Sequence, residues 1–508
     1  MPNKRVDWLL LLLFAAASIF IQLYFLNPPV LSDQLEYFQY ASAFFQKPLP
    51  VNHRALRLGL VIPAAVLIQV FNYSEVAYYA LPLIGMAALV AGTYLFTRHM
   101  FSRGTAVFAS LFMLVMPGLL LESGHLLPDV PAVGFSTLAL GLVASASVKE
   151  KPGGAWWDIS LFLTGALLGW SYLIREYMLA VIPASLLVFW AKKIPYRKAL
   201  SLAAGLLAVL LVEFLYGFIF YSNPLIRFIS AEPRSTVGNI ERDVGKILTF
   251  LFILLDRHNA EPYIALAGFG VLAPFLFKGE ERKSALVSAF WLISGYLLLT
   301  TAALLPVIFS WEGRTLIRLH LFRYWLLILP PLVIGGAAGI WRLASLLVDK
   351  FASNKDIAIK VSVVLLSLFW IFTAFQGFRY LDGYYKFVRF GADQYLEFRD
   401  FLHTNSDEWD QVWLTSSGSR AGTRDIPMYM RTAFGKPVWT GKIRHLNTPE
   451  RDFVNQEKID GGLVVINRYF LSPDRTEIPK YIATPPPAWE LVFLSDNKEL
   501  TAYSVGDN

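Results

Sequence analysis

Between residues 8 and 377 the chain is a succession of long apolar runs, separated by short loops that carry most of the charge there. About 20 apolar residues cross the roughly 30 Å of a bilayer's hydrocarbon as one helix. Inside hydrocarbon a helix is also the form in which a single segment satisfies its own backbone polar groups. Eleven candidate spans follow, at 8–26, 77–97, 105–121, 128–148, 159–175, 177–191, 199–221, 260–277, 284–305, 324–346 and 358–377. The first follows Lys4 and Arg5 and contains Ala15-Ala16-Ala17-Ser18, which has the small residues of a signal cleavage site. Its apolar run continues to Leu26, too long for a signal core with that site, so it is expected to be an uncleaved span.

Composition agrees. Only 16% of the residues are charged, against roughly a quarter in soluble domains. That excludes a soluble enzyme of this length and a disordered chain. The net charge of +7 comes from basic residues in short loops, so no nucleic-acid partner is expected. There is no cysteine, hence no disulfide, thiolate nucleophile or Cys-ligated metal.

Short cytoplasmic loops are enriched in Lys and Arg. Lys4/Arg5, Arg98/Arg103, Lys149/Lys151, Lys192/Lys193/Arg197/Lys198, Lys278/Arg282/Lys283 and Lys350/Lys355 fall on one side if the spans alternate. The expected topology is a cell-membrane protein with a cytoplasmic N-terminus and an extracytoplasmic tail. A rival span at 56–71 would reverse every later basic loop; it is expected to lie in the outer interface. The domains are then 1–377, transmembrane with a large first external loop at 27–76, and 378–508, extracytoplasmic. The tail alternates helical and strand patterns: helix 393–403, strand 411–415, helix 424–434, strand 461–467, helix 474–482, and a hairpin from WELVFL and LTAYSV. This predicts a small α/β layer domain.

The outer side holds the residues suited to chemistry. Asp33 follows the stop Asn27-Pro28-Pro29, with Ser32 as a candidate N-cap, so it opens a helix that places Glu36, Tyr37 and Tyr40 near its face. The bland alternative is an acid that merely stabilises a helix start. Asp129, between Pro128 and Pro131, opens an apolar span on the same side, and capping is again the alternative. His53, Arg54, Arg57, Arg175, Arg234, Arg314, Arg318 and Arg323 bring cations to that face. Singly such arginines snorkel or bind headgroups; together with the carboxylates they suit a phosphate and a sugar. Arg175 and Glu176 are equally readable as an ion pair between consecutive spans. Glu213 is either functional or a buried acid with a single hydrogen bond. The histidines His53, His125, His258 and His320 show no metal spacing.

Four segments in order carry a resemblance: Asp33-x-x-x-Tyr37; Asn52-His53-Arg54-Ala55-Leu56-Arg57-Leu58-Gly59; Leu127-Pro128-Asp129-Val130-Pro131; and Phe322-Arg323-Tyr324 leading to Leu329-Pro330-Pro331, with Tyr172-Leu173-Ile174-Arg175-Glu176 a less specific addition. The chain resembles the GT-C superfamily of polyprenyl-phosphate-sugar glycosyltransferases, in particular the family-39-like enzymes related to protein O-mannosyltransferases and the lipid A aminoarabinose transferase. The resemblance covers about residues 1–380.

It implies a membrane glycosyltransferase that moves a sugar from a polyprenyl-phosphate donor to an acceptor hydroxyl, with inversion in a single displacement. Asp33 is then the general base, with Glu36 as second candidate, and Asp129 either positions the acceptor or holds an arginine. Arg57, Arg175 and Arg323 would bind the donor phosphate; Tyr37, His53, Arg54, Glu176 and Tyr324 would line the sugar or acceptor site. Many relatives carry a second acid directly after the first. Here Gln34 stands in its place, so no metal site is assigned and a divalent cation stays open, with Glu36 its nearest ligand. The acceptor is a lipid, glycan or protein. Two other classes stand beside this one: a lipid-linked sugar carrier or flippase, and a non-catalytic subunit of a cell-envelope glycan assembly complex.

Overall fold

The computed structural model describes residues 4–26, 28–29, 33–146, 158–230, 234–235, 261–308, 314–315, 322–351, 355–416, 425–432, 439–447, 459, 461–467 and 485–506. In order, the helices are α1 (Lys4–Tyr24), α2 (Asp33–Ala43), α3 (Leu58–Phe71), α4 (Glu75–Met100), α5 (Arg103–Val115), α6 (Pro117–Glu122), α7 (Asp129–Ser145), α8 (Ile159–Ile174), α9 (Val181–Lys192), α10 (Arg197–Tyr221), α11 (Ile226–Ile229), α12 (Glu261–Leu276), α13 (Gly279–Ile308), α14 (Leu329–Phe351), α15 (Lys355–Thr404) and α16 (Ile426–Tyr429). Short 3₁₀ segments at Glu176–Ala180 and Phe322–Ile328 precede α9 and α14. Two-residue strands β1 (Arg234–Ser235) and β2 (Arg314–Thr315) pair antiparallel.

The described parts of all eleven apolar runs fall mainly on helices. Among the described residues, five helices are long and apolar enough to cross a membrane by length and composition, and several shorter apolar helices accompany them. The chain is a multi-pass membrane protein. One run is broken and another is ended by a single residue. Met116 is extended (φ −62°, ψ 122°) because the following Pro117 disfavours helical backbone before it, which divides 105–121 into α5 and α6. Arg175 is extended (φ −145°, ψ 123°) and ends α8. Conversely, 358–377 and 393–403 are not separate: α15 is one helix of 50 residues. Its middle, 378–392, contains glycine but no proline, and a helix tolerates an interior glycine at a cost of about 1 kcal/mol.

The chain forms two compact units: Met1–Phe25, Pro48–Ile62 and Leu81–Asp382 make the first, and Leu26–Lys47, Pro63–Ala80 and Gly383–Asn508 the second. In the first unit helices approach closely at small residues. A Cβ on Gly165 of α8 would meet the carbonyl of Leu202, and one on Gly205 of α10 the carbonyl of Phe162. Gly85 of α4 and Gly134 of α7 make the same kind of contact. Between apolar helices in lipid, such packing supplies much of the association energy. Asp7 ties α1 to the α4–α5 pair by accepting from Tyr94 Oη (3.0 Å), Arg98 Nε (3.0 Å) and Arg103 Nε (2.7 Å).

The second unit contains a mixed sheet of β3 (Gln411–Ser416), β4 (Lys442–Asn447), β5 (Gly462–Asn467), β6 (Glu490–Leu494) and β7 (Leu500–Val505), in the order β4-β3-β5-β7-β6. The first three strands are parallel, and β7 runs antiparallel to β5 and β6. Trp413, Ile459, Val464, Ile466, Tyr503 and Val505 form a core on it. The expected strands and hairpin are present, and β4 is an additional edge strand. The expected helix at 424–434 shrinks to the single turn of α16, which has Pro427 in its first turn. The one expected at 474–482 lies outside the described residues.

Candidate active site

The first unit gathers side chains from six segments at the ends of its helices. At the start of α3, Gly59 lies so close to α8 that a Cβ there would meet the backbone of Leu173 and Ile174 at 2.7–2.8 Å. Trp170 Nε1 donates to the Gly59 carbonyl at 3.0 Å and fixes the approach. The preceding turn is organised by Asn52, whose Oδ1 accepts from the amide of Ala55 (2.8 Å). It sets His53 and Arg57 four residues apart on one face, and Arg57 Nη2 meets His53 Nε2 at 2.9 Å. The guanidinium donates, so Nε2 accepts and the ring proton sits on Nδ1. Burial and the Arg57 charge push the His53 pKa down to about 3, which leaves the ring neutral.

Because Arg175 is extended, its side chain and that of Glu176 point in opposite directions. Arg175, 3% exposed, turns to Asp129 at the start of α7, with Nη2 at 2.8 and 2.9 Å from the two carboxylate oxygens. Asp129 is fully buried, and Tyr177 Oη donates to its Oδ1 at 2.8 Å. The Arg175 guanidinium also lies over the rings of Tyr177 (5.6 Å) and Tyr324 (5.2 Å). Arg323 stands over Tyr324 at 5.7 Å and is close enough to Asp129 to feel its charge. The field of Arg57 reaches Tyr324 as well.

Glu176 turns the other way, to Arg227 at 2.8 Å, with His53 at 3.7 Å from the same oxygen. Arg227 is 3% exposed and donates also to Glu213 (2.8 Å) and to the carbonyl of Tyr172 (3.3 Å). Burial opposes the charge on each partner, yet Arg227 and Arg57 hold the Glu176 carboxyl below the usual carboxylate range. Glu176 and Glu213 in turn raise Arg227 above an ordinary arginine. Arg175 and Glu176 therefore do not pair with each other. Each belongs to its own cluster, and Glu213 is a buried acid paired with a cation.

Arg227 is the residue that sequence reasoning missed. Ser222 adopts a left-handed conformation (φ 54°) at the end of α10, and the reversal returns Arg227 to Glu213 fourteen residues earlier. The available signal was a lone cation in an apolar stretch, Ile226-Arg227-Phe228-Ile229, following a lone acid in an apolar span.

Asp33 and Glu36 lie in the first turn of α2, in the second unit, where both are half-buried; Tyr37 is 1% exposed. Ser32 lies outside the described residues, as do Arg318, His258 and His320. Arg54 is half-buried beside His53. Arg234 and Arg314 are brought to one backbone ladder, in which Arg234 pairs with Thr315 and Ser235 with Arg314. Among the described residues no group of three or more His, Asp or Glu is arranged to hold a metal.

Residues 62–217 match the family model described as dolichyl-phosphate-mannose-protein mannosyltransferase. The whole fold is similar to ArnT from Cupriavidus metallidurans bound to undecaprenyl phosphate, at 14% identity and a TM-score of 0.58, covering 99% of this chain and 98% of that one. The likeness at this identity is one of fold. The fold is also similar to the oligosaccharyltransferase of Archaeoglobus fulgidus tethered to an acceptor peptide, at 12% identity and a TM-score of 0.52. There 85% of this chain is covered and 64% of that one. A comparison with curated proteins returns no match. The matched family segment contains Asp129, Arg175, Glu176 and Glu213, so both ion clusters have members within it.

Proposed function

We propose that this GT-C chain transfers a sugar from a polyprenyl-phosphate donor to an acceptor hydroxyl, on the outer face of the cell membrane. The observation that carries the reading is the buried Arg175–Asp129 pair at helix ends of the first unit, with Arg323 beside it and Arg57 near enough for its charge to reach Tyr324. A glycosyl phosphodiester carries one negative charge, and the polyprenyl phosphate that leaves gains a second. A leaving group that acidic needs cations in place rather than a general acid. Arg57 and Arg323 are the direct phosphate contacts in this reading. Arg175 contributes its field while its guanidinium, held by Asp129, anchors the cluster. In this reading Asp129 holds an arginine.

Asp33 is assigned the base by its motif and its place in the first turn of α2. The acceptor oxygen attacks the anomeric carbon, its proton passes to the Asp33 carboxylate, and the bond from that carbon to the phosphate oxygen breaks with its electron pair. One displacement inverts the anomeric centre. Positioned proton transfer of this kind contributes about 10²–10⁴-fold. Tyr37, His53, Arg54, Glu176 and Tyr324 remain the candidates for sugar and acceptor contacts. The carrier alternative relied on Glu213 as an ionisable group at the membrane midplane, and that acid is committed to Arg227.

The test incubates purified protein with radiolabelled undecaprenyl-phosphate mannose or aminoarabinose, in detergent with membrane-lipid, glycan and peptide acceptors, and separately in liposomes. Label in an acceptor supports the proposal. Label moved across the liposome without transfer supports a carrier, and neither outcome leaves the subunit reading.

A further inference from the structure

The helix that carries Asp33 belongs to the same compact unit as the C-terminal sheet. Phe38 of α2 is fully buried, against Tyr73 (ring centroids 4.7 Å) and Tyr78 (5.6 Å). Between those two tyrosines the chain is gripped twice by the tail. Arg431 and the 73–75 backbone exchange hydrogen bonds, Arg431 N to the Tyr73 carbonyl at 3.0 Å and Glu75 N to the Arg431 carbonyl at 3.0 Å. Arg399, 3% exposed on α15, donates to Glu75 Oε1 at 2.8 Å. Arg399 is itself placed by the sheet. Its neighbours Phe398 and Phe401 pack on Phe493 of β6 at 5.3 and 5.1 Å, and one turn earlier Gln394 bonds Asn497 in the β6–β7 turn at 2.8 Å.

A buried ion pair and a backbone bridge thus join the tail to the segment on which α2 rests. We propose that the C-terminal domain seats the catalytic helix, with Arg399 and Glu75 as positioning residues that act on Asp33 through Tyr73, Phe38 and Tyr78. The inference rests on the reading of Asp33 as base. Its consequence is that loosening the seat lowers turnover at saturating substrate, because a reacting group misplaced by about 1 Å loses on the order of 10²-fold. Substrate affinity is left in place.

The experiment compares the full-length wild type with Glu75→Gln, Arg399→Gln, Arg399→Lys and the Glu75→Gln/Arg399→Gln double variant. Three readouts are taken: binding of undecaprenyl phosphate, kcat and KM for the sugar donors above, and amide hydrogen exchange of residues 33–43. Glu75 is partly exposed, so its variant stays informative if Arg399→Gln does not fold. Expected are donor binding and KM within about threefold of wild type and kcat lower by at least tenfold, since misplacement acts on the chemical step. Exchange in 33–43 should be faster by at least about tenfold, with partial recovery in Arg399→Lys. The double variant should be no worse than the worse single one, as expected for partners in one interaction. A raised KM with kcat unchanged, or unaltered exchange in 33–43 in folded variants, overturns the proposal. If the wild type itself transfers from none of these donors, the proposed function fails, and the exchange measurement alone decides whether the tail seats α2.

Discussion

Arg175 and Glu176 are adjacent in sequence and serve different clusters, and the reason is a single extended residue at the end of α8. Among the described residues, the buried charges of Asp129, Arg175, Glu213, Arg227 and Arg399 have partners of opposite sign, as burial demands. His53 is the exception: it is kept neutral, by burial first and by Arg57 second, with a pKa near 3 against 6.5 in the unfolded chain. Between those values the unfolded state takes a proton that the folded state refuses. His53 therefore costs no stability above about pH 6.5, and costs progressively more as the pH falls from there toward 3. Labelled His53 followed by NMR should show no protonation between pH 7.5 and 5, and His53→Gln should flatten the loss of thermal stability in that range. A His53 midpoint near 6.5 would contradict this account. At this scale the sequence was partly legible. Asp129, Arg175, Arg57 and Arg323 stand in recognisable segments, and the structure brings them together. Arg227 was hidden, because its partnership with Glu213 depends on the left-handed turn at Ser222, which no spacing rule announces.

Apolar length was the strongest signal for the elements, since hydrocarbon leaves the backbone few alternatives to helix. Continuity was harder to read. The breaks at Met116 and Arg175 and the uninterrupted α15 depend on single residues inside or between runs. Strand β4 was missed because Lys442-Ile443-Arg444-His445-Leu446-Asn447 is a polar edge strand with little hydrophobic signal. Contact between helices is specified by small residues, and this is testable. Gly205→Leu would force a side chain into the carbonyl of Phe162, whereas a Cβ on Gly268 of α12 meets nothing within 4 Å. Overpacking costs about 1–3 kcal/mol or more, and Gly to Ala in an open helix position gains about 1 kcal/mol. Thermal midpoints in detergent should fall sharply for Gly205→Leu and hold or rise slightly for Gly268→Ala. Equal effects would mean that α8 and α10 do not meet at these glycines.

For the whole molecule, apolar helices followed by a small sheet are legible in one compositional contrast, apolar runs to residue 377 and soluble periodicity after it. What composition does not reveal is that the Asp33 segment keeps company with the tail, because that grouping is made by a few buried contacts around Phe38 and Arg399. Orientation rests on the basic loops. A reporter fused after Asn508 should read as non-cytoplasmic and one near Lys193 as cytoplasmic; two on the same side would undo the proposed topology. The central claim is that Asp33 is the base, and Asp33→Asn in the transfer assay tests it most directly. Asn serves a helix start as well as Asp does, so a purely structural Asp33 predicts near-normal turnover. Asn cannot take the acceptor's proton, so this account predicts a loss of at least about 10²-fold in kcat with undecaprenyl-phosphate binding retained. Near-normal transfer by folded, donor-binding Asp33→Asn would contradict it.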